Sequence, residues 1–370
     1  MIRGRARYIA LAFAAALSIV CASAWGVLGD ARRGESLKFS SEFFGTFDTV
    51  VTFTAFTADE AEFERFLGVV SGEMNRLSRL FDIYADYGGA VSVKTINDMA
   101  GTAPLKVDRD ILSLLALAKE AHGETGGAIN VALGPVLAIW HYRRERAASG
   151  DAVAPPSEDE LRRAAVHTSI DDVEIDEENG TVFLRYPDMR LDVGAIAKGY
   201  AAQKAADRVR DAGLVSGIIN AGGNVVIIGP PLDGRGAWNI GVQSPEPGGA
   251  SSLIDVLSLS GGSAVTSGNY QRYFVSDGKV YHHIIDPETL YPAERVKSVT
   301  IIHPDSATAD ILSTASFIMP SEDASALIER HGAEAIWVTD GGAVVTTPGY
   351  LEYSKQAHSP GRGGLRVIGQ

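Results

Sequence analysis

Apolar residues recur at three- and four-residue steps in Phe63, Phe66, Leu67, Val70, Met74 and Leu77, which predicts an amphipathic helix over 59–80. Ahead of it, 46–56 alternates like a half-buried strand, after a polar linker at 29–40. The helical period returns in 110–122, where Leu112, Leu115 and Ala116 share one side. It returns again in 131–146, entered near Gly134-Pro135, where Pro suits a first turn. Ser157 is an N-cap for 158–165, with Glu160 placed to complete a capping box. Helices are also predicted over 197–212, stopped by Gly213, and over 307–319 and 322–331.

Between the helices lie short β-type runs. Strands are predicted at 173–175 and 181–186, joined by Glu178-Asn179-Gly180, and at 216–220 and 224–228 around a Gly-rich turn. Others fall at 238–243, 253–259, 263–266, 272–275, 296–303, 335–339 and 344–347. Hairpins with intervening helices predict an α+β fold of antiparallel sheets packed with helices, with no internal repeat. The domain is expected over 41–355, with 356–370 as a Gly-rich mobile tail.

The first 28 residues follow a different pattern. Arg3, Arg5 and Arg7 precede an apolar run at 8–20, and Ala22-Ser23-Ala24 offers cleavage-type spacing. That is the three-part plan of a secretory signal. An uncleaved membrane anchor is a second reading, since the run extends to Leu28. Lipidation of Cys21 is a third, for which Val20 is a poor neighbour. Each predicts an exported protein, periplasmic or held at the outer face of the inner membrane, with membrane association through the N-terminus.

Composition narrows the functional classes. With 45% hydrophobic and 21% charged residues over 370 positions, the chain is globular rather than disordered. A net charge of -13 argues against nucleic acid as a partner, yet leaves room for a local phosphate site built from backbone N–H groups or a metal. Cys21 is the single cysteine, so neither an internal disulfide nor a cysteine metal site can form.

Four segments could carry chemistry, and each also has a bland reading. Leu191-Asp192-Val193-Gly194-Ala195-Ile196-Ala197-Lys198-Gly199-Tyr200 passes from strand to helix and puts a cation in a first turn, a phosphate-binding arrangement or an ordinary connection. Asn220-Ala221-Gly222-Gly223-Asn224 allows close ligand approach, or is a hairpin turn. Neighbouring His282 and His283 are expected in a strand on opposite faces, so that one can serve as a base while the other lies outside the site. Asp310 and Thr314 share a helix face as hard oxygen ligands for Mg²⁺, or Asp310 is only a dipole partner.

Taken in order, these segments resemble the FAD:protein FMN transferases, the ApbE family. The resemblance runs from about residue 43 to about 319. It also includes Phe44-Gly45-Thr46, Leu77-Ser78-Arg79-Leu80-Phe81, Ile96-Asn97, and the run from Gly127 to Pro135 before Trp140. It implies a T-fold-like core that takes FAD as substrate with Mg²⁺. It implies that Asp310, Thr314 and the Ala195 carbonyl hold the metal. Phe44, Phe81, Ala128, Ile129, Asn130, Asp192, Lys198, Ile284 and Ser313 are implied to contact FAD, and His283 and Asp310 to be catalytic. The implied acceptor is an exported or membrane redox flavoprotein, modified on a Thr or Ser within Asp-x-x-Ser-Gly-Ala-Thr, with AMP released.

There are departures from the family. Asn130 stands where Asp is usual, Phe81 where Tyr is common, and Val193-Gly194-Ala195 replaces the usual Gly or Ser beside the Asp192 motif. Two other readings stay open: a Mg²⁺-dependent FAD pyrophosphatase giving FMN and AMP, and a non-catalytic FAD-binding protein that Asn130 keeps in play.

Overall fold

A computed structural model describes residues 36–246, 253–358 and 365–368. The signal, anchor and Cys21 readings lie outside the described residues. In chain order the elements are β1 (Leu37–Thr46), β2 (Thr49–Thr57), α1 (Glu60–Leu80), α2 (Val93–Asp98), β3 (Leu105–Lys106), α3 (Arg109–Glu124), α4 (Gly134–Ala148) and α5 (Glu158–Ala164). Then follow β4 (Val173–Asp176), β5 (Thr181–Leu184), α6 (Ala197–Asp211), β6 (Gly217–Ala221), β7 (Asn224–Gly229), β8 (Trp238–Gln243), β9 (Leu253–Leu259) and β10 (Gly262–Gly268). The chain closes with β11 (Tyr273–Ser276), β12 (Lys279–His282), β13 (Val296–His303), α7 (Ser306–Ile318), α8 (Ser321–Arg330), β14 (Glu334–Thr339), β15 (Val344–Thr346) and β16 (Leu365–Val367).

A nine-stranded sheet in the order β1-β2-β6-β7-β10-β13-β14-β15-β16 organises the molecule. Its pairs are antiparallel except β15 with β16. This is the α+β architecture that the mixture of hairpins and helices predicts. The central strands are buried on both faces and therefore read as apolar runs rather than as strict alternation. Val51, Phe53, Ile219, Val226, Val265, Val299 and Ile301 point to the side covered by α1, α6 and α7. Val225, Ile227, Ala264 and Ile302 point to the other side, under Trp238 and Leu257 of the β8–β9 hairpin and Tyr350. A smaller cluster packs Trp140 of α4 and Leu161 of α5 against Phe274 and Ile285.

Local chemistry sets the ends. Asp59 caps α1 by accepting from Glu62 N at 2.8 Å. Gly213 ends α6 at φ +102°, a conformation that costs a side-chain residue strain. Ser157 caps α5 through Glu160 N at 3.2 Å, but the Glu160 carboxylate takes Arg143 at 2.9 Å, where the capping-box pattern would send it back to the cap. A salt bridge across two helices outcompetes the local return.

Three expectations change. Leu37–Ser40 are not linker: they pair with Thr54–Thr57 of β2 and extend the sheet edge. Within the expected tail, Leu365–Val367 add a parallel edge strand. The sequence pattern also gives no hint of α2, whose Ser92 and Thr95 cap each other reciprocally. Among the described residues no helix is long and apolar enough to cross a membrane.

Candidate active site

The site forms where the first turn of α6 meets the middle of α7. No side chain caps α6, so its early N–H groups need outside acceptors. Gly199 N donates to Asp310 Oδ2 at 2.8 Å, and Asp310 is buried. Glycine is required there, because a Cβ would stand 2.4 Å from Asp310 Cβ and from Ser306 O. Lys198 Nζ lies 4.0 Å from the same carboxylate oxygen. No donor among the described residues meets Asp310 Oδ1, and the Thr314 hydroxyl one turn along likewise has no protein partner. The Ala195 carbonyl, which would otherwise receive the Gly199 N–H, is left outside the helical ladder. Ser313 closes this face, with Oγ 2.8 Å from Ser267 Oγ and 3.0 Å from Asp310 O.

Two asparagines hold the chain that leads into α6. The Asn97 side chain receives Leu191 N at 2.7 Å and donates to Leu191 O at 3.0 Å. Asn130 Nδ2 donates to Thr168 O at 2.9 Å, while its Oδ1 receives Ala132 N at 2.9 Å. Both sides of its amide are therefore engaged in fixing the 128–133 segment, against which Asp192 N donates to Val131 O at 2.8 Å. Asp192 Oδ1 accepts from Gly194 N at 2.9 Å. Enclosure pushes the Asp192 carboxyl above the usual range, opposed by Gly194 N–H and by His141, Arg144 and Arg272.

The two histidines differ in their surroundings, and only His282 lies within a strand. His282 ends β12, is buried, and its Nε2 meets Ala293 O at 2.8 Å. His283 lies just past the strand, and its Nδ1 is buried with no partner among the described residues. Burial first, then the cations Arg272, Arg144 and Lys198, hold the His283 imidazole well below its ordinary range, so it stands neutral. Ile284, next along, is buried and donates its N–H to His282 Nδ1 at 3.2 Å.

Several flanking residues carry no signal in the sequence pattern. Arg144 on α4 reaches His141 Nδ1 at 2.8 Å. Because Arg can only donate, His141 must carry its proton on Nε2, which faces Glu145 at 3.3 Å. Tyr84 is exposed and stacks on His141 with ring centroids 4.8 Å apart. Arg272 reaches the Phe47 and Asp48 carbonyls at 3.4 Å, bracing a β1–β2 turn whose two residues both have φ 51°. Neither Arg144 nor Arg272 has a carboxylate within ion-pair distance among the described residues. Both act at longer range on the Asp192 carboxyl.

Not every expected contact residue is exposed. Phe81 is buried in the main core, edge-on to Tyr200 at 5.7 Å, because it finishes the apolar stripe of α1. The aromatic surface on this side is offered by Tyr84, three residues later. Ile129 is buried as well, and Ala128 is half-buried against the same core. Phe44 is 70% exposed on β1, next to the Gly45 bulge.

Comparison with known proteins decides the lineage. Residues 47–337 match the model of the ApbE family. The chain belongs to the ApbE family. It is 36% identical over 287 residues to the FAD:protein FMN transferase of Klebsiella pneumoniae (strain 342), covering 75% of this chain and 86% of that one. Its identity to the FAD:protein FMN transferase of Treponema pallidum is 36% over 261 residues, covering 67% and 70%. Among solved structures, the ApbE protein of Thermotoga maritima superposes with a TM-score of 0.73 at 33% identity, covering 83% of this chain and 96% of that one.

Proposed function

We propose that this ApbE-family protein is a Mg²⁺-dependent FAD:protein FMN transferase that attaches FMN through a phosphoester to a Thr or Ser of an acceptor flavoprotein and releases AMP. The observation that carries the reading is Asp310. It is a buried carboxylate pinned through one oxygen to a helix-start N–H, with its other oxygen unclaimed and a lysine beside it.

The donor set fits a small hard cation: one carboxylate oxygen, one hydroxyl and one main-chain carbonyl. Among the described residues no group of three or more His, Asp, Glu or Cys side chains forms a cage. A Mg²⁺ ion here would therefore share its coordination with phosphate oxygens and water. When bound, it would screen the pyrophosphate and stabilise charge on the leaving oxygen.

The chain's own residues supply the rest. Lys198 and the N-terminal dipole of α6 draw the pyrophosphate to the head of the helix. Arg144 and Arg272 add positive field on the His283 side, and Tyr84 offers a flat face beside them. The acceptor hydroxyl attacks the phosphorus on the FMN side. A new P–O bond forms, the bond to the AMP phosphate breaks, and His283 Nδ1 takes the hydroxyl proton. A neutral imidazole can take that proton. The phosphates offset the cations that depress it, so its basicity rises as the nucleotide binds.

The acceptor we infer is an exported or membrane redox protein, with this chain exported by its first 28 residues. Incubation of the purified protein with FAD, Mg²⁺ and a peptide carrying Asp-x-x-Ser-Gly-Ala-Thr tests the proposal by mass spectrometry. A gain of FMN minus water with matching AMP supports the transferase. AMP and free FMN with unlabelled peptide would indicate a hydrolase, and intact bound FAD a binding protein.

A further inference from the structure

The turn Asn220-Ala221-Gly222-Gly223-Asn224 stands out in the sequence, yet the mechanism above gives it no task. Its two asparagines behave differently. Asn220 is used within the turn, its Oδ1 accepting from Gly223 N at 3.1 Å. Asn224 is only 1% exposed, and its Nδ2 has no partner among the described residues. Its Oδ1 also meets no donor among the described residues, so the whole amide is uncommitted whichever way it is turned. A buried amide without a partner costs stability, and proteins rarely retain one without a use.

Its place in the fold suggests the use. Val226, two residues along β7, packs on the helix side of the sheet, and Val225 packs on the hairpin side. Asn224 therefore faces the helices. It stands opposite Ala221 of β6 and Val265 of β10. Ser267, two residues beyond Val265 on the same face, touches Ser313 of α7 at 2.8 Å. The chain leaves α6 through Gly213 and returns directly into β6, with Leu214 N bonded to Val209 O at 3.0 Å. The first turn of α6 consequently lies over the sheet end that carries Ala221 and Asn224. Asn224 thus forms part of the floor beneath the Gly199–Asp310 contact.

The glycines before it keep that floor low. Gly222 and Gly223 have φ of +60° and +96°. A Cβ on Gly222 would collide with Thr49 Oγ1 at 2.2 Å, whereas one on Gly223 would meet nothing closer than Thr266 O at 3.7 Å. The β1–β2 turn thereby packs tightly on one side of the β6–β7 turn, and the other side stays clear.

We propose that Asn224 is a substrate-binding residue whose side-chain amide donates a hydrogen bond to a phosphate oxygen of the bound nucleotide. This rests on the FAD-transferase reading and adds a contact to it. The α6–β6 connection puts the amide beneath the head of α6, where that reading puts the pyrophosphate. A neutral donor suits this position, because a cation would pair with Asp310 and a carboxylate would repel the phosphates.

Flavin-fluorescence titration of the full protein with FAD and Mg²⁺, run beside thermal melts, tests the assignment with Asn224→Ala, Asn224→Ser and Asn224→Asp. The expected result is FAD affinity about ten- to a hundredfold weaker in the Ala and Ser variants, the loss of a hydrogen bond to a charged group. Their melting temperatures should equal or exceed that of the wild type, since the change removes an unsatisfied buried amide. The Asp variant should bind FAD more weakly than the Ala variant, because its charge faces the phosphates. Wild-type affinity in the Ala variant would overturn the assignment. So would weaker binding with a lowered melting temperature, which marks a structural residue, or an Asp variant that binds as well as the wild type, which marks contact with a cation or a hydroxyl. If the wild type itself fails to bind FAD, the transferase reading falls and this contact with it.

Discussion

Two charged clusters lie along α6, and they are built on opposite principles. On the stripe of Tyr200, Lys204 and Arg208, Glu73 of α1 is held by Arg76 at 2.8 Å and by Arg208 at 2.8 Å. Asp110 of α3 is held by Arg76, by the Tyr200 hydroxyl at 2.9 Å and by Lys204 at 3.7 Å. Burial alone would raise both carboxyls, but the cations outweigh it and both lie below the usual range. At the N-terminal end the accounts are left open. Asp192 is pushed up, His283 is pushed down with an orphaned Nδ1, and neither Arg144 nor Arg272 has a carboxylate within ion-pair distance among the described residues. A satisfied network ties three helices together. An unsatisfied one leaves interactions that a polyanionic ligand would complete, so the two should respond to mutation in opposite ways, stability in one and turnover in the other.

The largest effect is expected at Asp310. Asp310→Asn keeps an oxygen for Gly199 N–H but loses the charge that would hold a cation. Mg²⁺-dependent AMP release should fall by about a thousandfold, while the melting temperature changes little. Turnover close to wild type would remove Asp310 from the metal site. His283→Ala should come next, slowing transfer about a hundredfold while FAD affinity stays within a few-fold. Equal losses in both would make His283 a binding residue. The imidazole should also titrate at higher pH once nucleotide is bound, which NMR of the His283 ring can follow.

The satisfied cluster should show the reverse. Glu73→Gln removes the charge shared by Arg76 and Arg208, both partly exposed and able to rehydrate, so the cost is discounted to about 2 kcal/mol. Urea unfolding should record that loss, with AMP release unchanged below the melting transition. The pH dependence follows the same division. The depressed Glu73 and Asp110 contribute stability above the unfolded carboxyl range, lost as pH falls through their lowered folded values. His283 acts at a higher pH. The unfolded chain protonates near 6.5 while the folded protein does not, so stability declines as pH drops below about 6.5, and less so in His283→Ala.

Local pattern carried much of this far into the structure. The stripe from Phe63 to Leu77 marks α1, and the helix-start run from Asp192 to Tyr200 marks the head of α6, because both depend on residues close in sequence. What the pattern hid depends on distant partners. Leu37–Ser40 read as linker because their exposed edge is polar, and only pairing with β2 makes them strand. Arg144 and His141 look like one more charged stretch of helix until α4 packs its Trp140 on Tyr281 at 5.7 Å and turns the neighbouring face toward His283. Phe81 and Tyr84 sit three apart, and only tertiary packing decides which is buried and which is offered to solvent.

Asn130 is the residue whose meaning changed most, and it gives the smallest of these effects. In place of the family's usual Asp it raises the question of lost charge and a lapsed catalyst. In this fold the amide has a structural task on each side, accepting Ala132 N and donating to Thr168 O. A carboxylate could keep the first bond, but on the second side it would set an oxygen against a carbonyl. Asn130→Asp should therefore cost about 1 kcal/mol of stability, the price of one buried donor removed. It should not raise turnover, since the group's neighbours are backbone. A variant that gained both stability and rate would show that the charge, not the donor, is what this position wants, and would return Asn130 to the chemistry of the site.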